Sequence, residues 1–105
     1  MVWSSDDDLV YAVDNVVYAQ KVGSQEKKEM FRLKSYYGAW LYAVDSKRNL
    51  HYQIYDRDSS SSRQIGGWRI FNLDTKEDNE LTGHRINGKV LMTPKRDKVV
   101  AEVGY

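Results

Sequence analysis

The chain is expected to be mainly β with one helical element (an α+β class): a short N-terminal helix followed by a five- to seven-stranded antiparallel small barrel. A partial β-trefoil is the alternative closure. Three observations lead there. Apolar and polar residues alternate with a period of two from Lys28 onward, the pattern of half-buried strands. Turn residues interrupt these runs at short intervals. Ser4-Ser5 followed by Asp6, Asp7 and Asp8 has the hydroxyl and carboxylate pattern that caps the free amides and meets the positive end of a helix dipole. A barrel follows because a small open sheet would leave unpaired edges.

Taken in order, residues 1–15 form the acidic N-terminal helix. Leu9, Val10, Val13, Val16 and Val17 have helical spacing, so the helix ends either at Asp14-Asn15 or as late as Gln20. The first alternative lets the β-branched Val16-Val17-Tyr18 open a strand. Gly23-Ser24-Gln25 turns the chain, and Lys28 to Lys34 carries Phe31 and Leu33 on one face, giving a first hairpin. Tyr37-Gly38 is expected to turn it again into Ala39 to Val44. There Trp40, Tyr42 and Val44 share one face and Leu41 and Ala43 the other, as in a central strand. After the polar turn Asp45 to Asn49, Leu50, Tyr52 and Ile54 alternate with His51, Gln53 and Tyr55 in a half-buried strand. Residues 56–67, rich in Ser and Gly, form a mobile loop. Strand character resumes at Trp68 to Leu73, and Asp74 to Glu80 is loop-like. Asn87-Gly88, the strongest hairpin dipeptide present, joins Leu81 to Ile86 with Lys89 to Thr93. Pro94 ends an edge strand, and Val99 to Val103 closes the chain.

At 105 residues the chain has room for one core and therefore one domain. With 12% aromatics and a net charge of +1, it lacks the signature of disorder. The absence of Cys excludes disulfide staples, thiolate metal sites and a cysteine nucleophile. No apolar run reaches the ~18 residues of a membrane span. The opening MVWSSDDD is acidic where a signal peptide is basic, so a cytoplasmic location and no membrane partner are expected. The near-neutral total conceals an asymmetry. Asp6, Asp7, Asp8 and Asp14 stand in the first fourteen residues without a base, which leaves all 16 bases against 11 acids in the remainder.

An internal echo, an aromatic-x-aliphatic-Asp core, runs through Leu9-Val-Tyr-Ala-Val-Asp14, Trp40-Leu-Tyr-Ala-Val-Asp45 and Arg69-Ile-Phe-Asn-Leu-Asp74, at spacings of 31 and 29 residues. It reads either as the arms of a trefoil or as the way a strand ends in a turn. The order of elements also resembles a WYL domain, an Sm/SH3-like small barrel of bacterial transcription regulators and defence-associated proteins. The matching strings are Asp8 to Tyr18, Met30-Phe-Arg-Leu33, Gly38-Ala-Trp-Leu-Tyr-Ala43, Arg69-Ile-Phe-Asn-Leu-Asp74 and Leu81-Thr-Gly-His84. Trp40-Leu41-Tyr42 stands where the family has Trp-Tyr-Leu, and Asp74-Thr75-Lys76 where it ends Asp-Arg-Ile. The resemblance implies a ligand face near Trp40, Tyr42 and Arg69.

Catalysis has little foothold. His51 and His84 lie in different elements without metal-ligand spacing, Ser59 to Ser62 lack a nucleophile elbow, and Gly66-Gly67 lacks the form of a phosphate cradle. No enzymatic activity, metal or cofactor is expected. Binding is better supported, because Tyr36, Tyr37, Trp40, Tyr42, Tyr52, Tyr55 and Trp68 are interleaved with Arg32, Lys34, Arg48 and Arg57. Tyr, Trp and Arg are what interface centres prefer, and an aromatic-basic face also stacks single-stranded bases. The candidate binding residues are Arg32, Lys34, Tyr36, Tyr37, Trp40, Tyr42 and Arg69. The function expected is that of a small regulator or inhibitor contacting another protein. A ligand- or single-stranded nucleic-acid-sensing barrel is the alternative, and a carbohydrate-binding trefoil the third.

Overall fold

The structure, a computed structural model, describes residues 2–3, 8–58 and 63–104. Among them are ten strands and no helix: β1 (Val2–Trp3), β2 (Asp8–Val13), β3 (Val16–Lys21), β4 (Lys27–Arg32), β5 (Tyr37–Val44), β6 (Asn49–Asp56), β7 (Gln64–Asn72), β8 (Asp78–Thr82), β9 (Arg85–Met92) and β10 (Val99–Gly104). They form two four-stranded antiparallel meanders, β1-β2-β3-β4 and β5-β6-β7-β8, and one hairpin, β9-β10. These sheets do not close into a barrel, nor are they arranged as trefoil arms.

The expected helix is replaced by a hairpin from Asp8 onward; Ser4 to Asp7, its capping run, lie outside the described residues. Val13 pairs with Val16 across a two-residue turn, and Asp14 takes a φ of 54°, a conformation that Asp tolerates better than most residues. The apolar spacing suited either structure. β-branched Val at four of the five positions favours the strand, where Val10 and Val17 pack against Val44, Leu50, Tyr52 and Phe71 of the second meander.

The two meanders pack face to face. Val10 and Val17 from the first, joined by Met30, meet Val44, Leu50, Tyr52, Phe71 and Leu73 from the second. Phe31 bridges them, its ring centroid 5.1 Å from Tyr52 and 4.5 Å from Phe71. Burial of each such side chain stabilises by about 1.5–3 kcal/mol, which makes this cluster the main source of stability.

A register shift between Leu41 and Ala43 bulges β5 at Tyr42 and resets its alternation. Ala39, Leu41 and Val44 therefore face the sandwich core, whereas Trp40 lies opposite Gln53 and Ala43 opposite His51 on the other face. The expected grouping of Val44 with Trp40 and Tyr42 is overturned by this one extra residue. Nor is β5 central: it is the first strand of its sheet. Part of its outer face, at Tyr42, is covered by β9.

That covering explains β6, expected to be half-buried. Its outward residues His51 and Gln53 are buried as deeply as its inward ones. The amide of Gln53, completely buried, accepts from the Ile86 N–H (3.2 Å) and donates to the Ile86 carbonyl (3.3 Å) and the Tyr42 hydroxyl (2.8 Å), the orientation in which both ends of the amide meet complementary partners. One side chain thus pairs with the backbone of β9 as a neighbouring strand would. Trp68 N–H donates to the His84 carbonyl, Ser46 N–H to the Arg96 carbonyl, and Arg96 Nη2 to the Trp3 carbonyl, so the hairpin is tied down at both ends.

Three further expectations change. Gly38 is a strand residue instead of a turn, and the Tyr55 ring lies over it where a Cβ would stand. The loop expected at 56–67 is shorter, since β6 holds Asp56 and β7 starts at Gln64; Ser59 to Ser62 lie outside the described residues. Asn87-Gly88 makes no turn: β9 runs through it, and the dipeptide falls where β10 loses register between Ala101 and Val103. The turn comes instead at 94–97, where Arg96 N–H donates to the Thr93 carbonyl. The three Asp-ending strings each finish a strand at a turn, as the simpler reading of the echo has it.

Candidate functional site

Strand order gives the sandwich two distinct ends. Turns 14–15, 33–36 and 57–58 gather at one, and turns 22–26, 45–48 and 73–77 at the other. The first end holds most of the candidate residues. Segment 33–36, which carries the chain from the first meander to the second, is held in place by neighbours. Leu33 N–H donates to the Asn15 carbonyl, and the Asn15 amide donates back to the Leu33 carbonyl. Arg57 donates its backbone N–H to Tyr36 O, Nη1 to Ser35 O and Nη2 to Asp14.

On this braced segment Tyr36 and Tyr37 meet edge to face, ring centroids 4.5 Å apart at 74°. Tyr36 remains 40% exposed. Lys34 Nζ stands 6.0 Å from its ring, at the outer limit of a cation–π contact. Arg32 pairs with Glu29 at 2.7 Å, but the side chains are 61% and 47% exposed. Such a pair is worth roughly 0–1 kcal/mol, so the guanidinium is readily diverted to another carboxylate. Trp40 stacks on Tyr55 at 4.8 Å and 17°, on the outer face of the second meander.

The remaining two candidates do not join this group. Tyr42 is bonded to the Gln53 amide beneath β9, and burial raises its phenol pKa. Arg69 lies on the opposite face of the sheet, with Tyr52. Its Nε donates to the Tyr52 hydroxyl (3.2 Å) and its Nη2 pairs with Asp78 (3.4 Å), while Tyr52 O–H donates to Asp78 at 2.7 Å. Burial first, and then the Asp78 carboxylate, push the Tyr52 phenol well above its ordinary value. Trp40, Tyr42 and Arg69, grouped by the family resemblance, are therefore not on one face.

The sequence reading left Tyr55 and Arg57 outside the site, although both shape it. Their role depends on cross-strand register, which no local pattern in the chain signals. His51 comes nearest to a catalytic arrangement. Its Nε2 lies 3.0 Å from Asp45 Oδ2, and its Nδ1 accepts the Trp68 indole N–H at 2.9 Å. The indole fixes the Nε2–H tautomer, and it occupies the place a nucleophile would need. This trio ties β6 to β7 and to the turn after β5. Among the described residues no cluster of His, Asp or Glu suits a metal ion, and no helix is long and apolar enough to cross a membrane. No family model, curated protein or solved structure matches the chain.

Proposed function

We propose that this chain is a non-enzymatic binding module, a small regulator or inhibitor that contacts another protein through the aromatic-basic end formed by Arg32, Lys34, Tyr36, Tyr37 and Trp40. The observation that carries the reading is the braced edge-to-face Tyr36–Tyr37 pair, with Tyr36 exposed and Lys34 at the limit of a cation–π contact with its ring. Rigid aromatic rings present a large contact area at low entropic cost, and Arg beside them supplies bidentate recognition of carboxylates. The fitting partner surface has an apolar pocket rimmed by acidic groups.

The test is affinity capture from the native cell with the wild-type chain and a Lys34→Glu/Tyr36→Ala variant, each with and without nuclease. A stoichiometric protein that survives nuclease and is lost with the variant supports the reading. Capture that vanishes with nuclease points to single-stranded nucleic acid, which the same rings and cations would stack and neutralise, and overturns it. So does a partner held equally by the variant. Both substituted residues are exposed, so the variant should keep its thermal midpoint to within a few degrees.

A further inference from the structure

The opposite end of the sandwich is open. Between the meanders lies a cleft of about 530 Å³, inside the range of small-molecule sites. Its floor is apolar, made by Ala19, Met30 and Leu73, where the core reaches the surface. Its rim is charged. Arg48, only 20% exposed at its side chain, directs Nε to Asp74 at 2.9 Å and Nη2 to Asp8 at 3.4 Å. Its guanidinium fork is thus already engaged by two carboxylates, which fix it as a wall of the cleft.

Lys21 and Lys28 differ from it. Both line the cleft, both are exposed, and neither makes an ion pair among the described residues. Register places them there: Lys21 lies opposite Asp8, and Lys28 opposite Ala19, whose side chain packs on the core. Lys28 therefore projects from the same sheet face as the core residues, just past the edge of what the second meander covers. A lysine on an inward face is a poor choice for packing alone. Lys27 and Glu26 also line the cleft, but the Lys27 ammonium is engaged 4.5 Å over the Tyr18 ring.

We infer that this cleft binds a phosphate monoester with a compact apolar body. Two ammonium groups are point charges with rotatable donors, suited to a tetrahedral dianion. The planar fork that would select a carboxylate is spoken for by Asp8 and Asp74. The apolar body would lie against Met30 and Leu73, the core residues that reach the floor of the cleft. This site is independent of the aromatic-basic end, and neither stands or falls with the other.

The test is titration of the isotope-labelled chain by NMR with phenyl phosphate, with inorganic phosphate and benzoate as separate arms. The expected result is saturable shifts centred on Lys21, Lys28, Met30, Arg48 and Leu73, with phenyl phosphate binding about tenfold more tightly than either arm. In a Lys21→Ala/Lys28→Ala variant, whose fold is checked by the unchanged dispersion of its spectrum, that affinity should fall by about tenfold or more. Shifts scattered over the whole surface, affinity unchanged in the variant, or benzoate binding as tightly as phenyl phosphate would each overturn the assignment. A Tyr36→Ala chain should bind phenyl phosphate like wild type, which separates this site from the other end.

Discussion

At the scale of single residues, the buried polar groups carry the sharpest consequences. Tyr52 is wholly buried, and its phenol is held protonated by that burial and by the adjoining Asp78 carboxylate. An unfolded chain loses the same proton near pH 10. The folded protein therefore keeps it through a range in which the unfolded chain has released it, and stability falls as the pH rises above about 10. Tyr42, raised in the same direction by burial, adds to the fall. Thermal melts between pH 9 and pH 11 should show a steeper loss of midpoint for wild type than for Tyr52→Phe, whose remaining slope comes from Tyr42. Equal slopes would remove Tyr52 from this account. The candidate site was legible in part for a related reason. Tyr36, Tyr37, Arg32 and Lys34 are local in sequence, so the composition of one short stretch reveals them. Arg69 sits in the same aromatic-rich chain, yet strand register turns it to the far face, and register cannot be read from neighbours along the chain.

At the scale of elements, the β9-β10 hairpin is the one piece held by side-chain and turn contacts instead of a shared ladder. Gln53→Met keeps the volume and removes the amide, leaving both backbone groups of Ile86 without partners at a cost of about 1–3 kcal/mol. Amide exchange at Ile86 and along β9 should speed by about tenfold or more, while β6 amides in the Leu50 to Tyr52 stretch hold their rates. Uniform acceleration throughout the chain would mean that hairpin and sandwich unfold as one unit. Alternating patterns were enough to foresee most of the strands from β3 to β7. They could not foresee the fate of residues 8–13, because Leu9, Val10 and Val13 satisfy helical and extended spacing alike and only the pairing with β3 decides. They also missed the Tyr42 bulge and the straight passage of β9 through Asn87-Gly88. Both depend on contacts distant in sequence: the bulge on the register of β5 with β6, the passage of β9 on its pairing with β10.

At the scale of the whole molecule, the hairpin is also where apolar surface is left uncovered. Leu91 and Val100, a cross-strand pair, are 64% and 61% exposed. An exposed apolar pair on a two-stranded ribbon with open edges promotes self-association. Leu91→Lys with Val100→Lys should raise the concentration at which the protein stays monodisperse in light scattering, with no loss of thermal midpoint; a lower midpoint would show the pair to be structural. The sheet order has a consequence of another kind. Among the described residues, every ladder joins strands that are neighbours in the chain. The first meander is complete by Arg32, before any residue of the second is needed. Local pairings of this sort close quickly, and a chain emerging from the ribosome can order them in sequence. What local pairing leaves to be made last is the contact between the two meanders, where Phe31, in touch with both Tyr52 and Phe71, joins Val10, Val17 and Met30.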